Sequence, residues 1–186
     1  MSTLMIVVLI VVVLAIAAAV WLYMQKRRTQ TLRSRFGPEY DRIVEDHGDR
    51  NRAEKVLLER QKRVDSFDIK PLPPRDRDRF AQRWQDAQSR FVDNPQEVVG
   101  DADLLLVEVM KARGYPMGNF EQRAADISVD HPEVVENYRV AHEIALRDRQ
   151  EAASTEDLRK AMVHCRALFE ELLEGYVVAE PQEVRR

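Results

Sequence analysis

The dominant feature of the hydrophobic pattern is an unbroken apolar run from Leu4 to Met24, 21 residues of mostly Val, Ile, Leu and Ala that close on Trp21 and Tyr23. At ~1.5 Å per helical residue the run spans ~31 Å, about the thickness of a bilayer hydrocarbon core. No charged side chain occurs in residues 1–25. Aromatics with a polar handle favour the lipid–water boundary, so Trp21 and Tyr23 mark where the helix leaves lipid. Residues 1–25 are expected to be a transmembrane anchor, and residues 26–37 a basic juxtamembrane segment.

Past residue 37 the apolar positions recur at helical spacing. Gly37-Pro38 breaks whatever continues from the anchor. Pro38 suits a first helical position, and Tyr40, Ile43, Val44 and His47 follow on one side. Gly48 reads as a stop and Asp49 as a cap for a second helix carrying Ala53, Val56, Leu57, Arg60 and Val64 on one face. Residues 38–65 therefore predict a short helical hairpin. Residues 66–74 hold Pro71, Pro73 and Pro74, which remove backbone donors and fix φ, so an extended, stiff linker and a domain boundary are expected there.

Residues 75–175 predict a helical bundle. Phe80, Trp84, Ala87 and Phe91 make one apolar stripe, and Asn94-Pro95 opens a helix with Val98, Ala102, Leu105, Leu106, Val109 and Met110 inward, ended by Gly114. Asn119 caps a short helix to about Ile127. Asp130-His131-Pro132 is expected to start the next, with Asp130 accepting from its first amides and Val134, Val135, Tyr138, Ala141, His142 and Ala145 inward. Ser154 to Asp157 offers capping oxygens for a last helix whose face runs from Leu158 to Leu173, with Gly175 as its stop and 176–186 as a flexible tail. No stretch alternates with period two for the length of a strand. The expected fold class is all-α: a single N-terminal transmembrane helix, a short helical hairpin, then a four- to five-helix bundle.

Charge orients this plan. Lys26, Arg27, Arg28, Arg33 and Arg35 follow the apolar run with no acid among them, and positive flanks stay cytoplasmic. The expected address is the plasma (inner) membrane, single-pass, N-terminus out, with the C-terminal part cytoplasmic. A cleavable signal would carry its positive charges before the run, and this run is longer than the usual signal core, so an anchor is expected. Trp21, Tyr23, Lys26, Arg27 and Arg28 form the expected membrane-interface set. The remaining residues, 36–186, hold 24 basic against 32 acidic side chains. A net acidic domain is a poor nucleic-acid binder, because phosphate contacts need clustered Lys and Arg. The single cysteine, Cys165, excludes a disulfide framework and sits in an apolar stripe, where it is expected to act as a small hydrophobe.

Several segments carry a resemblance. Leu32 to Tyr40 (LRSRFGPEY), Arg113-Gly114-Tyr115-Pro116, Phe120 to Asp126 (FEQRAAD), Ser128 to Pro132 (SVDHP) and Lys160 to His164 (KAMVH) followed by Leu168-Phe169 resemble a family of uncharacterised bacterial proteins. Those proteins have one N-terminal transmembrane helix followed by a helical domain. The resemblance implies a bacterial membrane protein and brings no activity with it.

Catalytic signatures fail one by one. A di-iron bundle needs Glu three residues before a bundle His, and Val44, Ser128, Arg139 and Ala161 stand there instead. The zinc-protease spacing, the glycine-rich phosphate loops and the G-x-S-x-G elbow are absent. The remaining candidate is an acid–histidine group. Asp126, Asp130, His131 and His142 could be drawn as a metal site, although Arg123 and Asp126 are spaced to pair with each other and His142 lies on an apolar face. The turn-rich stretch from Arg113 to Pro132 is the most distinctive surface, with Tyr115, Pro116, Phe120, Glu121, Arg123, Asp126, Asp130 and His131 as interaction candidates. The expected function is a membrane-tethered, non-enzymatic interaction or scaffold module. It would need no cofactor and would bind the lipid bilayer together with another protein or a second copy of itself. The alternative is a metal- or ligand-binding sensor or enzyme built on the Asp126–His131 region.

Overall fold

The computed structural model describes residues 3–150 and 152–174, with side chains from residue 9 onward. It holds eight helices and, among the described residues, no strand: α1 (Thr3–Phe36), α2 (Pro38–His47), α3 (Arg50–Val64), α4 (Pro74–Arg90), α5 (Pro95–Arg113), α6 (Phe120–Asp130), α7 (Val135–Asp148) and α8 (Thr155–Glu174). The all-α reading holds. The chain divides into two compact units between Leu58 and Glu59, inside α3.

In the first unit α1 runs unbroken for 34 residues, so the basic segment is helical rather than a loose connector. Helix-forming Lys, Arg, Gln and Leu take eight of positions 25–35, and no Gly or Pro interrupts the stretch until Gly37. Gly37 takes φ +48°, the left-handed conformation in which a side chain is strained, and Pro38 then opens α2. Along the last three turns of α1, Gln25 and Thr29 are half-buried and Leu32 and Phe36 fully buried, a stripe at helical spacing. The hairpin covers that stripe with Tyr40, Ile43, Ala53 and Leu57.

In the second unit α8 packs on α7 and α5, α4 on α5, and α6 on α7. Trp84 of α4 stacks on Phe169 of α8 at 4.7 Å between centroids, 19° from parallel. Ser154 caps α8 in a reciprocal box. Its hydroxyl accepts from the Asp157 amide at 3.2 Å, and the Asp157 carboxylate accepts from the Ser154 amide at 3.1 Å. Helix α6 starts as expected, with the Asn119 side chain accepting from the Gln122 amide at 2.9 Å.

Three boundaries differ from the sequence expectation. The proline-rich stretch 66–74 is a strap on the second unit, not a free spacer: Leu72 is buried in the bundle core, Ile69 packs against it, and the Lys70 amide donates to Arg113 O at 2.8 Å. Its prolines prevent helix while its apolar side chains still seek the core. Helix α6 runs on to Asp130, because Ile127, Ser128 and Val129 are all buried and extend its inner face. Asp130 is thus the end of α6 and not a cap for α7, which opens only at Val135. The expected stop at Gly175 and the tail 176–186 lie outside the described residues.

Gly114, the cap of α5, has φ +99°, and a Cβ there would run into the carbonyl of Asp68 in the strap. Gly100, in the exposed middle of α5, has open space around it. Gly114→Ala is therefore expected to destabilise the protein by about 2 kcal/mol or more, and Gly100→Ala to stabilise it by about 0.5–1 kcal/mol. Urea unfolding of the full chain in detergent micelles, followed by circular dichroism, checks both signs.

Candidate functional site

Helix α5 buries residues at 98, 102, 105, 106, 109 and 110, and the same stripe continues one turn on to Arg113, which is 1% exposed. A guanidinium cannot sit in a core without acceptors. Arg113 Nη1 donates to Leu172 O of α8 at 3.2 Å. The same nitrogen lies 3.4 Å from His131 Nε2, and the Tyr115 ring sits 5.9 Å from Cζ. A guanidinium only donates, so His131 Nε2 is the acceptor and its proton resides on Nδ1, which donates to Glu171 Oε1 at 3.0 Å. Burial lowers the His131 pKa, with Arg113 adding to the effect. Glu171 opposes it without reversing it, so His131 is held neutral.

Around this knot stand two carboxylates. Asp126 is 1% exposed; its Oδ1 accepts from Gln122 Nε2 at 2.8 Å and from Arg63 Nε at 3.1 Å. Asp126 Oδ2 and Arg113 Nε are buried without a hydrogen-bond partner. Asp130 Oδ2 accepts from the Tyr115 hydroxyl at 3.2 Å, and burial raises the Tyr115 pKa, helped by the Asp130 charge. The spacing that suggested an Arg123–Asp126 pair is not used. Arg123 donates instead to Tyr138 Oη at 3.2 Å and to Gly118 O at 2.8 Å. The Tyr138 pKa is pushed up to about 12 by burial.

The sequence candidates therefore separate. Tyr115, Asp130 and His131 join Arg113 in a network that ties α5, α6 and α8 together. His142 does not join it: its ring stacks on Phe120 at 3.6 Å, 6° from parallel, with Nδ1 buried and unpartnered. Burial lowers its pKa as well. Among the described residues no group of three or more His, Cys, Asp and Glu is placed to hold a metal ion. Tyr115, Asp126 and His131 are too buried to meet a partner directly; Pro116, Phe120, Arg123 and Asp130 are half-buried, and Glu121 is exposed. Cys165 is buried, and its thiol is raised to about 12, which suits a core residue and not a nucleophile.

A second polar site lies in the first unit. Glu54 of α3 is 3% exposed, and its Oε1 accepts from Thr29 Oγ1 at 2.6 Å and from the Tyr40 hydroxyl at 3.0 Å. Arg28 Nε stands 3.8 Å from its other oxygen. Burial raises the Tyr40 pKa, with the Glu54 hydrogen bond adding to it. Trp21, Met24, Gln25 and Arg28 of α1 and Asn51, Glu54 and Lys55 of α3 line a cleft of about 630 Å³. Of the expected interface residues, Trp21, Tyr23, Lys26, Arg27 and Arg28 are all exposed, and Arg27 lies 5.4 Å over the Tyr23 ring.

Arg113, expected to begin a surface stretch, is instead buried; the signal that places it inside is its position four residues beyond Val109 on the α5 stripe. Glu171 and Arg63 carried no local signal, because their partners lie 40 and 63 residues away. Glu54 was equally hidden, with its Thr29 partner 25 residues away.

The depressed His131 pKa has a definite sign. Below the ordinary value of 6.5 the unfolded chain takes up a proton that the folded chain refuses, so stability falls as pH falls from about 6.5. His131→Gln is expected to shrink the fall in urea midpoint between pH 7.5 and pH 5, leaving the contribution of His142. An unchanged pH dependence would refute the assignment.

No protein-family model, no curated protein and no solved structure matches the chain.

Proposed function

We propose that this chain is a single-pass membrane protein whose helical bundle lies on the cytoplasmic side and acts as a protein-interaction module without catalysis. The observation that carries the reading is the state of α1. Its large apolar side chains from Leu9 to Met24 are 48–64% exposed among the described residues. At ~25 cal/mol per Å² of apolar surface, lipid is the medium that removes that cost. The five basic residues from Lys26 to Arg35 support the orientation, and the resemblance to bacterial single-span proteins supports a bacterial inner membrane.

The interaction role is supported by what the bundle leaves uncovered. Val163 on α8 is 55% exposed beside Phe91 and Met162, which line a shallow cleft of about 160 Å³ flanked by Arg159 and Arg166. An apolar spot ringed by charge is the usual form of a contact surface for another protein or a second copy.

Two measurements test the reading. A reporter active only outside the cytoplasm, fused after the bundle, is expected to be silent; strong activity overturns the orientation. Crosslinking of the tagged full chain at native level is expected to trap one partner, or the chain itself, in fixed ratio, with Val163→Glu reducing the yield about tenfold. A chain that crosslinks to nothing, or a yield that Val163→Glu leaves unchanged, overturns the interaction role.

A further inference from the structure

The cleft between α1 and α3 has two chemically distinct ends. Trp21 and Met24 belong to the apolar run, and Gln25, Arg28, Asn51 and Lys55 lie toward the polar side. Met24 to Arg28 is four residues, a rise of ~6 Å, so on the membrane-spanning reading the cleft crosses the boundary between acyl chains and headgroups. The one acid in the lining, Glu54, is already held by Thr29 and Tyr40. Arg28 and Lys55 outnumber it, and Lys26, Arg27, Arg50 and Arg52 follow closely in sequence, with Asp49 and Glu54 as the acids of the same stretch. A volume of about 630 Å³ lies within the usual range for small-ligand clefts.

We propose that this cleft binds one anionic phospholipid, its phosphate held by Arg28 and Lys55, its glycerol by Gln25 and Asn51, and its first methylenes along Trp21 and Met24. The apolar end selects a lipid over a free phosphate ion, because an inorganic anion would leave Trp21 and Met24 unmatched. The cationic end selects an anionic over a zwitterionic headgroup. This goes beyond a diffuse attraction of basic residues to the bilayer, since it names two cations on two helices converging on one headgroup.

The inference rests on the membrane-spanning reading, and the experiment separates the two. Membranes carrying the full chain are washed with alkaline carbonate; release of the chain would overturn the span itself. The purified full chain in micelles is then titrated with phosphatidylglycerol and with phosphatidylcholine of the same acyl chains, and bound lipid is counted by native mass spectrometry. One phosphatidylglycerol retained with about tenfold preference is the expected result, with Arg28→Gln/Lys55→Gln abolishing the preference and Lys26→Gln/Arg27→Gln, outside the cleft but equal in charge lost, retaining it. Because Arg28 also touches Glu54, Lys55→Gln alone is measured as a variant that keeps Arg28, Thr29 and Tyr40 beside Glu54, and a partial loss of preference is expected. Equal binding of both lipids, equal loss in both double variants, or displacement by millimolar inorganic phosphate would overturn the proposal.

Discussion

The first unit depends on one constraint: the apolar surface of α1 from Leu9 to Met24 stays exposed among the described residues. From Leu9 to Met24 every large side chain projects outward, and the helix begins to bury residues only after Met24, at Gln25, Thr29, Leu32 and Phe36. The same helix is thus two objects in series. On the membrane-spanning reading one part is solvated by hydrocarbon; the other is a core helix of a small three-helix unit. The change falls where the composition changes, between Met24 and Lys26, and the chain spends no loop on it. Continuity has a consequence for the basic residues. On a helix, Arg28 and Thr29 are held in fixed directions, so that Thr29 reaches Glu54 while Arg28 borders both Glu54 and the cleft. On a flexible connector neither would be positioned.

Glu54 makes the hairpin conditional on that continuity. A carboxylate 3% exposed is stable only with its hydrogen bonds made, and its donors come from α1 and α2. Apolar burial alone would let α2 and α3 pack on the stripe in several registers. The bonds from Thr29 and Tyr40 to one carboxylate select one. Buried polar groups of this kind contribute little net stability but discriminate among packings.

Arg113 performs the corresponding service in the second unit. Its carbonyl receives the strap at Lys70, its guanidinium holds α8 at Leu172 O, and it fixes the tautomer of His131 at the end of α6. Gly114 follows it at φ +99° and lacks the Cβ that would run into Asp68 O of the strap. That explains which parts of the fold were legible in sequence. Helix positions were readable from Pro38, Asn94-Pro95, Asn119 and Ser154, since caps and period are local. The strap was not: prolines at 71, 73 and 74 announce extended backbone but say nothing about whether Leu72 finds a core. The end of α6 was missed because Asp130-His131-Pro132 has the local look of a helix start, whereas the burial of Ile127 to Val129 is decided by helices far along the chain.

The acid–histidine cluster illustrates why residue type alone is a poor guide to chemistry. Asp126, Asp130, His131 and His142 lie within 17 residues of sequence and suggest a metal centre. In space each has been claimed by a different neighbour: Asp126 by Arg63 and Gln122, Asp130 by Tyr115, His131 by Arg113 and Glu171, His142 by the Phe120 ring. A metal would have to displace a guanidinium beside His131, and the cationic guanidinium would oppose a divalent ion approaching Nε2. Asp130 and His131 are therefore better understood as part of the seam that joins α5, α6 and α8. On the proposed interaction reading, recognition falls to exposed side chains such as Val163, which stands beside the half-buried Phe91 and the buried Met162. The polar seam inside and the apolar spot outside are complementary: the first holds the helices in one arrangement, and only a fixed arrangement can present the second as a surface of constant shape.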